Sequence, residues 1–239
     1  MTRIVRIGII DSGVNQSHPH VGNIVGGVTI ESHGENPDYS DLLGHGTAIA
    51  SLIRQRAPDA HLIAVKIFHR NLAADIKTLI RAIIWCTENG IDVINLSLGT
   101  TNTLHQTAFQ SLVGRTRAVG AVMVSAAEMN GQPALPGSLP GVVGVLADFD
   151  QPEFEFRTVR RQGRYAFCAS PFPRNIPGVP RNRNLQGISF AVAHISSYIA
   201  RLRTTVTGSP DWEQVLADLR PIINPGREIS SLQSRMRSR

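Results

Sequence analysis

The chain has 239 residues, 42% hydrophobic and 18% charged, which suits one substantial core and excludes a disordered or fibrous protein. A formal charge of +6, from 24 Lys and Arg against 18 Asp and Glu, raises nucleic-acid binding, but the basic residues are dispersed and come with no zinc-finger spacing or aromatic RNA-binding signature. No apolar run approaches membrane-spanning length, and two cysteines are too few for a disulfide framework or a metal cluster.

Residues 4–10 form a near-continuous β-branched run ending in Asp11-Ser12-Gly13, which predicts a buried strand whose carboxyl end delivers an aspartate into a turn. Asp11 either caps that turn or serves a site, because open α/β sheets place their sites at such strand ends. Residues 31–41 are polar and turn-rich and read as a surface loop leading to Gly44-His45-Gly46-Thr47. A helix is expected next, with Ala48, Ile49, Leu52 and Ile53 on its buried face. Glycines on both sides of His45 weaken local structure and are better explained by close approach of other backbone, so His45 is a functional candidate rather than a core filler.

A second strand is expected over 62–68, then an amphipathic helix over 73–89 with apolar residues at 76, 79, 80, 83 and 84, closed by Asn89-Gly90. Strand 92–98, helix 104–118 and strands 121–126, 141–147 and 165–169 continue the alternation, which argues for a parallel sheet covered on both faces. Gly187-Ile188-Ser189-Phe190-Ala191 opens an apolar helix reaching to about Leu202. Ser189 is either a plain N-cap or a nucleophile at the positive end of the helix dipole. Pro210 suits the first turn of a last helix with Trp212, Val215, Leu216 and Leu219 as its buried side. One domain over 1–222 and a frayed basic tail over 223–239 are expected. Cys86 and Cys168 read as buried free thiols, and residues 1–6 lack a signal peptide's apolar core, so a cytoplasmic location is expected.

Asp11 in Ile-Ile-Asp-Ser-Gly-Val, His45 in Gly-His-Gly-Thr and Ser189 in Gly-Ile-Ser-Phe-Ala stand in the chain order Asp, His, Ser. With residues 11–19, Ala64-Val65-Lys66, residues 90–99, Leu135-Pro136-Gly137 and residues 169–171, they make the chain resemble the subtilisin-like serine proteases over most of its length. The resemblance implies a three-layer, doubly wound, mostly parallel α/β sheet. It implies that Ser189 attacks a peptide carbonyl, His45 moves the proton and Asp11 orients the imidazole. It assigns Ser97-Leu98-Gly99 and Ser125-Ala126-Ala127 to the walls of the primary substrate pocket, with Glu128 on or near that wall; a carboxylate there favours Lys or Arg in the substrate, and the alternative is that Glu128 points to solvent and Asn130 caps the turn before Gly131.

The chain departs from the family at the second oxyanion donor, where a Gly-Asn pair is expected and Glu128-Met129 stands, with Asn130 one position later. Either Asn130 shifts into place, another group substitutes, or the enzyme is slow or inactive; Asn130 is the expectation. Ile188 and Ala193 also replace the usual threonine and proline. No cofactor and no metal are expected, because only residues 54–59 separate the histidine helix from the next strand, where relatives insert a calcium loop. Glu31, Glu35, Asp38 and Asp41 read as solvated loop charges rather than cation ligands. The expected partner is an extended, acidic peptide, cut by an intracellular processing protease acting on a precursor or leader. A non-catalytic domain that binds peptides is the alternative, and no nucleic-acid or membrane partner is expected.

Overall fold

The computed structural model describes residues 3–161, 163–205, 210–212 and 215. In chain order they form β1 (Arg6–Asp11), β2 (Ile24–Ile30), β3 (Glu35–Asn36), α1 (His45–Arg56), β4 (His61–Lys66), α2 (Ile76–Glu88), β5 (Val93–Leu96), α3 (Gln106–Ala118), β6 (Val122–Ala126), β7 (Glu128–Met129), β8 (Gln132–Pro133), β9 (Val143–Ala147), β10 (Phe156–Arg161), β11 (Arg164–Ala169) and α4 (Ile188–Arg203). The main sheet has nine strands among the described residues, in the order β10-β11-β9-β6-β5-β1-β4-β2-β3. Strands β11 through β2 in that order pair in parallel, and only the edge strands β10 and β3 run antiparallel.

Two apolar layers sandwich the sheet, because alternate residues of each central strand point to opposite faces. Ile7 and Ile9 of β1 pack with α1 and α4, and Ile10 packs with α2 and α3. Helix α2 has the apolar spacing read from the sequence, with Leu79 and Ile83 buried, an Asp75 side-chain cap on Thr78 N–H and closure at Asn89. Helix α4 buries residues around nearly its whole circumference, as an apolar helix wedged between the sheet and α1 must.

Three expectations need correction. Strand β2 was not anticipated, because Gly26-Gly27 interrupts its apolar run. Edge strand β10 alternates Arg157, Arg160 and Arg161 with only Phe156 buried, a pattern too polar to read as a strand. Residues 128–133, where no strand is predicted, form a β7–β8 hairpin. Of the last expected helix, Trp212 is buried in the core and Val215 packs against it, whereas Leu216, Leu219 and the 223–239 tail lie outside the described residues. Cys86 and Cys168 are free and buried, as expected, and burial raises both thiol pKa values. No helix among the described residues is long and apolar enough to cross a membrane.

Candidate active site

Strand β1 ends with Asp11 fully buried at its carboxyl end. Its Oδ1 accepts from the Ser12 backbone N–H at 2.8 Å and lies 2.7 Å from His45 Nδ1, while Oδ2 is buried without a hydrogen-bond partner. The carboxylate therefore depends on the imidazole for compensation. That dependence fixes the Nδ1–H tautomer and leaves Nε2 as the acceptor.

His45 is the first residue of α1, and the two glycines around it have separate physical duties. Gly44 caps the helix at φ 79°, a left-handed conformation that L side chains avoid. Gly46 lies so close to β1 that an added Cβ would stand 2.2 Å from the Gly13 carbonyl oxygen. Backbone contact, not flexibility, explains that glycine.

Asp41 fixes the same turn from the other side. Its Oδ1 accepts from Ser12 Oγ, Leu43 N–H and Gly44 N–H at 2.9 Å each. Its Oδ2 accepts from Thr47 N–H at 2.9 Å and Thr47 Oγ1 at 2.5 Å. Ser12 Oγ in turn accepts from Gly46 N–H at 2.9 Å, so Ser12 links both carboxylates to the histidine turn. Partial burial works against the Asp41 charge, but the hydrogen bonds from Thr47, Leu43 and Ser12 outweigh it and hold the carboxyl below its usual range. Burial likewise opposes protonation of His45, yet the Asp11 hydrogen bond and charge, with the Asp41 charge, raise its pKa above 6.5.

Ser189 is the second residue of α4, so its N–H is one of the helix-start donors without an intrahelical partner. The next side chain, Phe190, stacks at 5.8 Å from the His45 ring and brings the two helix starts together. The Ser189 hydroxyl donates to the Ser97 carbonyl at 3.3 Å in this structure rather than to His45. Helix α4 is anchored by His194, whose Nε2 lies 3.0 Å from the Phe172 carbonyl. Burial, aided by Arg56 and Arg181, pushes the His194 pKa down to about 3, so it stays neutral.

The two expected pocket walls lie side by side. Leu96 at the end of β5 pairs with Ser125 of β6, and Ser125 Oγ donates to the Leu98 carbonyl at 3.3 Å. Ser97, Leu98 and Gly99 run from β5 past Ser189, and Ala126 and Ala127 continue from β6 into the hairpin. Glu128 starts β7, and its Oε1 faces Arg161 Nε at 3.5 Å. The carboxylate expected to receive a basic substrate residue is thus already paired within the chain. Asn130 sits with Gly131 at the hairpin tip, both with positive φ, exposed and in the geometry that Asn-Gly turns favour. That placement gives Asn130 a turn role and no described contact with the triad. Its expected oxyanion role therefore lacks support from its position.

Among the described residues no group of three or more His, Cys, Asp or Glu is placed to hold a metal. Glu31, Glu35, Asp38 and Asp41 do not converge, and protein donors fill both oxygens of Asp41. Ser12, Asp41, Thr47 and Phe190 were missed as site residues. The only sequence signal was the position of Asp41 four residues before His45.

Residues 2–147 match the profile of the Subtilase family, a span that includes Asp11 and His45. The chain is 35% identical to subtilisin DY of Bacillus licheniformis over 215 residues, covering 82% of this chain and 75% of that protein. It is 28% identical over 221 residues to a thermostable alkaline protease of Halalkalibacterium halodurans, covering 83% of this chain but only 56% of that protein. Against subtilisin E of Bacillus subtilis it likewise spans 57% of the relative's length, at 27% identity over 87% of this chain. In solved structures it is similar to a cold adapted subtilisin-like serine proteinase, with TM-score 0.68 and 22% identity, covering 90% of this chain and 81% of that one.

Proposed function

The chain belongs to the subtilase family, and from that premise we propose that it is a serine endopeptidase acting on an extended peptide through an acyl-enzyme. What supports the reading is the Asp11–His45 pair at the carboxyl end of β1, together with Phe190, the residue after Ser189, packed 5.8 Å from the His45 ring. For attack, the Ser189 hydroxyl leaves the Ser97 carbonyl and turns to His45 Nε2. The proton passes to Nε2 as the Oγ–C bond forms, and returns to the leaving amine as the C–N bond breaks. Water then hydrolyses the ester by the same route. Asp11 stabilises the imidazolium in both halves, with its second oxygen otherwise unpartnered.

The Ser189 N–H at the start of α4 supplies the oxyanion donor. Met129 has no donor, and Asn130 is turned to solvent at the hairpin tip. With one donor in place of two, turnover is expected roughly 100- to 1000-fold below that of an enzyme with both.

The processing reading rests on charge: +6 overall, with arginines at 157, 160, 161 and 164 and again at 174, 181 and 183, favours an acidic precursor or leader as substrate. A cytoplasmic location accords with two free, buried thiols. A second reading, a peptide-binding domain without turnover, is favoured by the Ser189–Ser97 hydrogen bond and the missing asparagine. Cleavage of an acidic peptide by the wild-type chain and by Ser189→Ala separates them. Cleavage by wild type alone supports the endopeptidase; binding by both without cleavage by either supports the second reading.

A further inference from the structure

Beside the triad lies a second concavity of about 400 Å³, a volume in the range of small-ligand and side-chain pockets, lined by neither His45 nor Ser189. Three separate stretches build it: the turn after β1, the start of α1, and the segment that leads into α4. Ala48, Ile176 and Leu185 supply apolar wall, and Ile176 and Leu185 are about half exposed, at 50% and 54%. His18, His20 and Arg174 line the same cavity. The two histidine rings meet edge to face at 5.4 Å, and the Arg174 guanidinium has no hydrogen-bond or ion-pair partner among the described residues. The one carboxylate in the lining, Asp41, spends both oxygens on five donors of its own turn. Asp41 is thus directed into its own turn, and Arg174 is the charged group of the lining left to pair with a ligand.

We propose that this pocket is a second recognition site for the peptide substrate, which takes an aliphatic side chain flanked by a carboxylate at a distance from the scissile bond. The proposal rests on the endopeptidase reading for the identity of the ligand, not for the existence of the site. Apolar walls recognise the aliphatic group, while Arg174 and the histidine pair favour a neighbouring carboxylate over an ammonium. The position also suits a peptide already held at the triad. One wall includes Gly44, adjacent to His45, and another includes Leu185, four residues before Ser189. The intervening segment is tied down at its base, with Gly187 N–H donating to the Pro171 carbonyl at 2.8 Å and Asn184 Nδ2 to the Arg174 carbonyl at 3.0 Å.

The test uses a fluorescent peptide containing Glu-Leu-Asp-Leu-Glu, titrated by anisotropy against the full chain carrying Ser189→Ala, which binds without cutting. Adding Ile176→Asp or Arg174→Glu, both at the surface, is expected to weaken binding at least 10-fold, and a Lys-Leu-Lys-Leu-Lys peptide is expected to bind at least 10-fold more weakly than the acidic one. Circular dichroism confirms that each variant is folded. Equal affinity of the pocket variants for the acidic peptide, or equal affinity for the basic peptide, overturns the proposal. Binding that follows these expectations while the wild-type chain cleaves nothing supports the pocket and removes the endopeptidase reading alone.

Discussion

Replacing Asp41 by Ala tests whether a residue outside the triad holds the histidine in place. The substitution removes the acceptor of five hydrogen bonds. Leu43 and Gly44 are exposed, so water takes over their N–H groups. Ser12 is fully buried and Thr47 is 6% exposed, so the Ser12 hydroxyl, Thr47 N–H and Thr47 hydroxyl are left to find partners in a nearly dry turn. At about 1–3 kcal/mol for each donor left buried and unpaired, and with some water entering from the adjoining cavity, the loss is about 2–4 kcal/mol. A domain stable by about 5–15 kcal/mol survives that loss, so activity can be read on folded protein. The field at His45 changes as well. His45 has a folded pKa raised above 6.5, and the general base must be neutral, so the acid limb of the kcat/KM profile lies above pH 6.5 in the wild type. Without the Asp41 charge that limb moves to lower pH. Urea denaturation at pH 7 and a pH–rate profile, or NMR titration of His45 in Ser189→Ala, measure both effects. A stability loss below about 0.5 kcal/mol together with an unmoved acid limb would refute the role given to Asp41.

Gly46→Ala drives a methyl into the Gly13 carbonyl, a backbone group that cannot step aside as a side chain would, so at least about 1–3 kcal/mol of stability and most peptide cleavage should be lost; a variant with wild-type melting and rate contradicts the close approach. Arg161→Ala releases Glu128, and cleavage after Lys or Arg relative to Leu should rise several-fold in matched peptides, whereas an unchanged ratio takes Glu128 off the pocket wall. Asn130→Ala should leave kcat within about twofold, and a fall of roughly 100-fold would restore that amide to the oxyanion hole. His194 is held neutral with a folded pKa of about 3, below its unfolded value of 6.5. Its contribution is present above pH 6.5 and lost as pH falls toward 3, so urea midpoints should drop across that window and drop less in His194→Gln.

The triad was legible because each member stands in a short motif whose neighbours have local physical duties: a strand ending at Asp11, a left-handed cap before His45, a helix starting at Ser189. The parallel sheet was legible for a similar reason, since fully buried strands such as β1 and β6 read as continuous apolar runs. Asp41 was not, because its five partners are assembled by the fold and only its place four residues before His45 separates it from Glu31, Glu35 or Asp38. Strand β2 hid behind its own glycines and β10 behind its arginines. The pairing of Glu128 with Arg161 joins residues 33 positions apart across β7 and β10, and no local pattern announces it. Asn130-Gly131 carries a turn signal in the sequence, and the hairpin it forms accords with the turn-cap alternative for Asn130.

Covalent labelling of Ser189 by a serine-directed fluorophosphonate probe tests the central claim most directly, because it needs an activated nucleophile and not merely the fold. The account predicts one adduct per chain, mapped by mass spectrometry to Ser189, lost in His45→Ala and falling with protonation of His45 below its raised pKa. A folded wild-type chain that stays unlabelled across that pH range, or labelling that persists in His45→Ala, would contradict it.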